Sequence, residues 1–512
     1  MDRPGTAARG AQPVHFGAGA GRLREALLAA GYTVDGVAGR LGPLASRALD
    51  RAETVPARRA TASGDPLDTL IRLFLLQLPV RSAAAAAALP LDAAAGLGLV
   101  ETAGDDVRAL LDVRPYGEAV GETGVPHGPS WWVVSDLGTG LDGVSSPLPA
   151  EHVLGVGGAS TTLAQSTIRV PVGRTLDLGT GSGVQALHAS RHSREVVGTD
   201  VSQRALDCAA LTAALSDVRL DLRRGDLLEP VAGERFDLVV SNPPFVVGAP
   251  AGPVRHTYRD CGMHLDGVCA RLAAEAPALL APGGTLQMLA NWVHHGGETW
   301  EERIARWLPA QGVDALVVQR EVLDPAEYVA TWLRDAGEAG TPDYPSRYDA
   351  WLAALEDAGV DAIGFGLVAV RRTDEPRRLT ALDWPHPVMQ PLGPHLAGWF
   401  HRQRWLAAHG DDRDLERARI VLAGDVLQEQ VGRPGAEDPE HVVLRQQVGL
   451  RRAVACDTAT AALAGACDGR LPVGTLVAAV LEVLGEDEGS GRDALLEQVR
   501  RLVEVGVLEP SV

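Results

Sequence analysis

The chain contains no lysine: all 47 basic residues among its 512 are arginine. That absence excludes P-loop NTPases and protein kinases, which set an ammonium against phosphate, and every Schiff-base or PLP chemistry. Cysteine is scarce. The five present (Cys208, Cys261, Cys269, Cys456 and Cys467) are odd in number and form no CxxC pair. Reduced, buried thiols are expected, not a disulfide framework or a zinc site. No HExxH occurs among the fourteen histidines. The adjacent His294 and His295 point in different directions on a strand or a helix alike, so no metal is expected. Long apolar runs are missing too. The most apolar stretch, Leu70 to Val80, is interrupted by Arg72 and Gln77 and is too short to cross a bilayer. The first ten residues are polar and run into no apolar core, unlike a signal peptide. A cytoplasmic protein with no membrane partner is the expectation.

A basic excess is lacking as well. The net charge is −19, and it is uneven. Residues 1–130 carry 13 arginines and 14 acids, 131–375 carry 19 and 32, and 376–512 carry 15 and 20. A protein that grips duplex nucleic acid through many phosphates usually shows a basic face, so the balance argues mildly against that class.

Apolar content of 46% is ample for buried cores. Three domains are expected, over 1–130, 131–375 and 376–512. In the first, helical spacing runs through Leu67 to Leu78, an alanine-rich helix over Ser82 to Leu89 stops at Pro90, and two short strands flank Asp105-Asp106. Helices followed by a two-stranded wing predict a winged-helix-like module. Its third helix is almost pure alanine and offers few groups for base contacts, which favours positioning a substrate or partner. The last domain repeats this logic. Leu495, Leu496, Val499, Leu502 and Val503 share a helix face ahead of a short strand at Gly506 to Glu509, so a second winged-helix-like module is expected. Its earlier helix, residues 395–409, is expected to pack or to cover a cleft.

The middle domain alternates strand and helix from Arg174 to Val370. That rhythm predicts a Rossmann-like α/β fold with a mostly parallel seven-stranded sheet, the last strand antiparallel. Two extra helices between 324 and 358 are expected to roof a site. Asp177-Leu178-Gly179-Thr180-Gly181-Ser182-Gly183 follows a strand and opens a helix. Glycines there let the backbone approach a ligand closely. Asp200 ends the second strand, where a carboxylate accepts ribose hydroxyls, and Asp226 ends the third, where it accepts an adenine amino group. The GxGxG spacing and three acids at successive strand ends favour S-adenosylmethionine over NAD. Leu154 to Leu163 reads as a glycine-rich loop capping a helix, with free N–H groups for that cofactor's carboxylate. The fourth strand runs into Ser241-Asn242-Pro243-Pro244-Phe245. The Asn242 side-chain oxygen and the Pro243 carbonyl can accept both N–H groups of a planar amine, turning its lone pair toward a methyl donor. Prolines stiffen the turn, and Phe245 can stack on a flat acceptor.

DLGTGSG, GTD, GD and NPPF together resemble the class I S-adenosylmethionine-dependent methyltransferases of the "methyltransferase small" group. That group includes HemK/PrmC-like release-factor glutamine methyltransferases and enzymes that methylate exocyclic amines of rRNA or tRNA. The resemblance covers 174–290 specifically and 131–375 loosely. It implies a cofactor set of Asp177, Gly179, Thr180, Gly181, Gly183, Asp200, Val201, Asp226, Leu227 and Asn242. It implies a catalytic set of Asn242, Pro243, Pro244 and Phe245. The expected activity is N-methylation of a planar nitrogen. The acidic catalytic region leans the acceptor toward a protein glutamine, as on a release factor. The alternative is an adenine or guanine amino group in structured RNA, if Arg223-Arg224, Arg371-Arg372 and Arg377-Arg378 converge on phosphates. A non-catalytic, cofactor-binding DNA regulator is the third reading.

Overall fold

A computed structural model describes residues 17–117, 130–138, 141, 148–248, 263–434, 439, 441–485 and 488–511. The chain forms two compact units. One holds residues up to Ala164 together with Val170–Trp384; the other holds Gln165–Arg169 together with the segment from Pro385 onward.

The larger unit opens with α1 (Gly17–Ala29), α2 (Val34–Leu49), α3 (Val55–Ala60) and α4 (Pro66–Leu70), the last prolonged by a π-helical turn to Leu75. Then come β1 (Val80–Arg81), α5 (Ser82–Ala88), α6 (Leu91–Gly96), β2 (Val100–Ala103) and β3 (Asp106–Ala109). The three strands form one antiparallel sheet in the order β1-β3-β2. A separate antiparallel pair follows, β4 (Leu111–Tyr116) with β5 (Trp131–Asp136).

β5 fastens the N-terminal helices to the rest of the unit. Its Trp132 is wholly buried, and the indole N–H donates to the Tyr32 carbonyl at 2.8 Å. The backbone N–H groups of Trp132 and Val134 donate to the hydroxyls of Ser216 and Thr212 at 3.1 and 2.8 Å. Both hydroxyls belong to a helix of the α/β core, whose Leu211 and Leu215 share one apolar cluster with Leu23, Leu27, Phe74 and Trp132.

That core contains α7 (Gly158–Ser166), β6 (Val172–Leu178), α8 (Val184–Ala189), β7 (Ser193–Asp200), α9 (Gln203–Ser216), β8 (Asp221–Arg224), β9 (Phe236–Ser241) and α10 (Gly267–Glu275). It continues through β10 (Leu280–His295), α11 (Trp300–Trp307), β11 (Gln311–Leu323), α12 (Pro325–Asp335), α13 (Tyr344–Asp357), β12 (Val360–Pro376) and β13 (Arg378–Asp383). Local signals set several of these boundaries. Ser202 caps α9, Thr299 and Glu302 form a reciprocal capping box on α11, and Asp324 caps α12 ahead of Pro325. The central strands are buried on both faces, which explains their near-continuous Val and Leu.

The sheet order is β13-β11-β12-β10-β9-β6-β7-β8. β8, β7, β6, β9 and β10 run parallel, and β12 inserts antiparallel between β10 and β11. The expected seven strands are eight. β13 adds in parallel beside β11, from Asp314↔Arg378 to Gln319↔Asp383. The expected domain boundary between 375 and 376 falls within the end of β12, and only Arg377 separates that strand from this edge strand.

The second unit holds α14 (Gly393–Ala408), α15 (Asp412–Arg417), β14 (Ile420–Leu422), β15 (Val426–Val431), β16 (His441–Gln446), β17 (Ala453–Cys456), α16 (Thr458–Ala466), α17 (Val473–Leu484), α18 (Glu488–Val505) and β18 (Leu508–Pro510). β15, β16 and β17 form an antiparallel sheet, and β18 closes on β14. α14 buries Leu396, Trp399 and Phe400; it lies against α18, and its Arg402 donates to Glu509 of β18 at 2.7 Å. The short connection between α7 and β6 also belongs here. The Leu392 N–H donates to the Gln165 carbonyl at 2.9 Å. A Cβ at Gly393 would lie 2.1 Å from the Thr167 carbonyl oxygen, so only glycine fits.

Among the described residues no helix is long and apolar enough to cross a membrane. Trp132→Ala should lower the stability of the larger unit by about 3–5 kcal/mol, the cost of emptying a buried aromatic site. A fall in the urea midpoint at unchanged m-value checks it.

Candidate active site

One cavity of about 870 Å³ lies at the carboxyl ends of β6, β7 and β9. Its position follows from strand register. β6 and β9 are parallel neighbours, and Leu178 pairs with Ser241 at their ends. The Ser241 hydroxyl also donates to the Leu178 carbonyl at 2.8 Å. The turns that follow, Gly179–Gly183 and Asn242–Phe245, are therefore brought side by side.

The glycine turn is held from beneath. The N–H groups of Gly179 and Thr180 both donate to the Thr199 carbonyl at 2.9 Å, tying the turn to β7. Asp177 is wholly buried under it. One carboxylate oxygen accepts from the Thr180 hydroxyl at 2.7 Å and from the Ala186 N–H at 3.0 Å. Gly181 and Gly183 have φ of 53° and 86°, a left-handed backbone that suits glycine. A Cβ at Gly181 would meet nothing within 4 Å, so that backbone faces open space. At Gly183 a Cβ would touch Ala209 of α9 at 3.4 Å; this glycine serves helix packing.

Asp200 bridges the next gap. It accepts from Gly181 N–H at 3.0 Å and from Ser202 N–H at 2.9 Å. Burial pushes its carboxyl above the ordinary range, opposed by those two donors. Each oxygen keeps a second lone pair for a ligand hydroxyl.

Of the residues assigned from sequence, Gly179, Thr180, Gly181, Asp200, Val201, Asp226, Leu227, Asn242, Pro243, Pro244 and Phe245 line the cavity. Asp177 and Gly183 do not; they support the turn from behind. Asn242 carries a further signal. Its side-chain oxygen is buried and has no hydrogen-bond partner among the described residues. An amide oxygen left so costs about 1–3 kcal/mol; Asp177 Oδ1, beneath the glycine turn, is left in the same way. Phe245 meets Trp332 of α12 edge-to-face, with ring centroids 6.0 Å apart.

One wall comes from the helices expected between 324 and 358: Trp332 and Asp335 of α12 line the cavity. Sequence reasoning missed another, from β4, β5 and the residues after them, including Arg114, Ser135, Asp136 and His152. Asp136 accepts from the Val153 N–H at 2.8 Å. Burial works to raise its pKa, but the Arg204 guanidinium and the Val153 N–H hold it below the usual range. Gly157 and Gly158, in the loop assigned to a carboxylate, face open space.

The comparisons with known proteins concern three stretches of the chain. Residues 156–304 match the family model of the methyltransferase small domain. Residues 29–110 and 397–510 match two domains of unknown function, DUF7059 and DUF7782. Ribosomal RNA small subunit methyltransferase C of Alcanivorax borkumensis is 35% identical over 119 residues, 23% of this chain and 32% of that protein. Release factor glutamine methyltransferases of Xylella fastidiosa and Deinococcus radiodurans are 40% and 43% identical over 130 and 128 residues, 23% of this chain and 47% and 45% of theirs. The chain thus spans less than half the length of these curated relatives. A solved T. thermophilus 16S rRNA N2 G1207 methyltransferase, bound to AdoMet and guanosine, is 20% identical, with a TM-score of 0.26 over 44% of this chain and 58% of that one.

Burial pushes the Asp177 carboxyl up to about 7, partly offset by Thr180 and Ala186. An acid whose folded pKa exceeds its unfolded value of about 4 holds its proton more tightly in the fold. Stability is therefore lost as pH rises from about 4 to about 7, and no further above that. Asp177→Asn keeps an oxygen for both donors and removes the titration. The variant should gain on the wild type between about pH 5 and about pH 7.5 in urea unfolding; an equal difference at both pH values would refute this. On motif match and relatives together, residues 156–304 form a class I methyltransferase domain of the methyltransferase small group.

Proposed function

We propose that this chain is an S-adenosylmethionine-dependent N-methyltransferase whose acceptor is the side-chain amide of a protein glutamine, as on a release factor. The observation that carries the reading is the unpartnered Asn242 oxygen, on a proline-stiffened corner that shares one cavity with an open glycine turn.

The residues present fit the cofactor. The open backbone at Gly179 and Gly181 admits its close approach. Asp200 would accept from the ribose hydroxyls and Asp226 from the adenine amino group, and the N–H groups near Gly157 and Gly158 would hold its carboxylate. When bound, the cofactor supplies an electrophilic methyl on sulfur. The chain's own contribution is alignment. The Asn242 oxygen and the Pro243 carbonyl take the two N–H groups of the acceptor, which rotates the nitrogen lone pair out of conjugation. Phe245 and Trp332 form the apolar wall that excludes water. Orientation would supply most of the rate, and the one proton that the nitrogen gives up on gaining the methyl would leave along its hydrogen bond to the Asn242 oxygen.

Charge supports a polypeptide acceptor over RNA. Among the described residues, the carboxylates of Asp112, Asp136, Glu151, Asp200, Asp226 and Asp335 line the cavity against Arg114 and Arg271. The arginine pairs that might have met phosphate are largely engaged within the fold. Arg223 bonds Asp221 and Glu234, Arg372 caps the Leu280 carbonyl, and Arg377 caps Ala305 and Leu308.

Label from tritiated S-adenosylmethionine, transferred into extract of cells lacking this gene, should be lost to protease and survive RNase. Loss to RNase alone would identify an RNA acceptor, and no label at all would leave a non-catalytic binder. Asn242→Ala should cut turnover about 100-fold or more with cofactor affinity unchanged by calorimetry. Cofactor affinity should also weaken on acidification, beginning above the usual carboxylate range because Asp200 is buried. Asp200→Asn should abolish that pH dependence.

A further inference from the structure

The Asn-Pro-Pro-Phe corner has a weakness: two of its residues are prolines and donate no backbone hydrogen bond. Its entry is fixed by Ser241 on β9. Its exit needs an anchor from elsewhere, and α12 and α13 provide one at Val247.

Val247 lies two residues past Phe245 and is wholly buried. Its N–H donates to the Tyr328 hydroxyl of α12 at 2.7 Å. Its carbonyl accepts from the Trp351 indole N–H of α13 at 3.2 Å. Both backbone groups of one residue are thus held by side chains of the helical hairpin inserted between β11 and β12. The Tyr328 hydroxyl accepts a second bond, from the Asn291 amide on β10 at 3.0 Å, which refers the corner back to the sheet. One turn further along α12, Trp332 sits edge-on to both Tyr328 and Phe245. Val246, Val247, Tyr328, Leu333 and Trp351 belong to an apolar cluster distinct from the one beneath the sheet.

We infer that Tyr328 is a positioning residue that fixes the acceptor-binding corner through the backbone of Val247, with Trp351 as its second clamp. The inference rests on the methyl-transfer reading above. Tyr328 touches neither cofactor nor acceptor; its hydroxyl oxygen sets where the Asn242 oxygen stands. Misplacement of a reacting group by about 1 Å costs up to about 100-fold in rate.

Tyr328→Phe keeps the ring in its cluster and removes only the oxygen. Three measurements test it on the full chain. Hydrogen exchange at the peptide containing Val247 should accelerate. The cofactor dissociation constant should stay at the wild-type value, while label transfer into the gene-deleted extract falls about 10- to 100-fold. In an Asn242→Ala background, Tyr328→Phe should cost nothing more, because the group it positions is gone. Trp351→Phe should show the same pattern more weakly. Faster exchange with unchanged transfer would make the clamp merely structural and overturn the inference. So would an equal loss with or without Asn242, or joint loss of cofactor binding and transfer in both variants. No transfer by the wild type would instead overturn the methyl-transfer reading itself, and the inference with it.

Discussion

The site depends on one register. Because β6 and β9 are parallel neighbours with Leu178 opposite Ser241, two turns of unlike chemistry emerge at the same height. A slip of one residue would exchange the faces of every side chain on β9. It would carry the asparagine corner away from the glycine turn. The Ser241 hydroxyl on the Leu178 carbonyl pins that register at the edge where it matters. Everything else in the larger unit either holds these two turns still or builds walls around the space between them.

Holding them still is expensive in polar burial. Asp177 is wholly buried, Asp200 is partly buried, and the Asn242 oxygen has no described partner. Each would destabilise an ordinary core. Their costs are offset by the apolar mass around them: the cluster of Leu176, Leu178, Val239 and Met288 below the turns, and that of Tyr328 and Trp351 beside the corner. Strained or unsatisfied groups gather where a ligand completes them. Asp177 differs from the other two. It satisfies the turn's own donors and faces no ligand, so its elevated pKa is a by-product of supporting the turn.

What was legible in the sequence is what is contiguous. The glycine turn, Asp200, Asp226 and the Asn-Pro-Pro-Phe corner each occupy a few adjacent residues at a strand end, where local chemistry is readable without tertiary knowledge. The alternation of strands and helices was readable for the same reason. β13 was missed because the expected domain boundary fell just ahead of it and an edge strand of six residues has a weak periodicity. Asp136, Trp332 and Tyr328 were not legible as individual residues because their meaning lies in partners 17 to 87 residues away. The stretch 165–169 looked like an ordinary connection between α7 and β6. Its membership of the second unit rests on backbone packing against Gly393, which leaves only an unremarkable glycine in the sequence.

The lysine-free composition shapes the electrostatics in a way that net charge alone conceals. Arginine's planar fork suits carboxylates and can also cap backbone carbonyls. Here it does both inside the fold: Arg204 holds Asp136, Arg303 holds Asp266 with two bonds, and Arg372 and Arg377 close off carbonyls at the ends of helices and strands. Positive charge is thereby spent on architecture. What remains facing the cavity is mostly carboxylate, in a region that is already the most acidic of the chain. A polyanion approaching Asn242 would enter a cavity lined by those carboxylates, and salt screens such repulsion only beyond about 8 Å. A neutral amide on a polypeptide meets no such barrier.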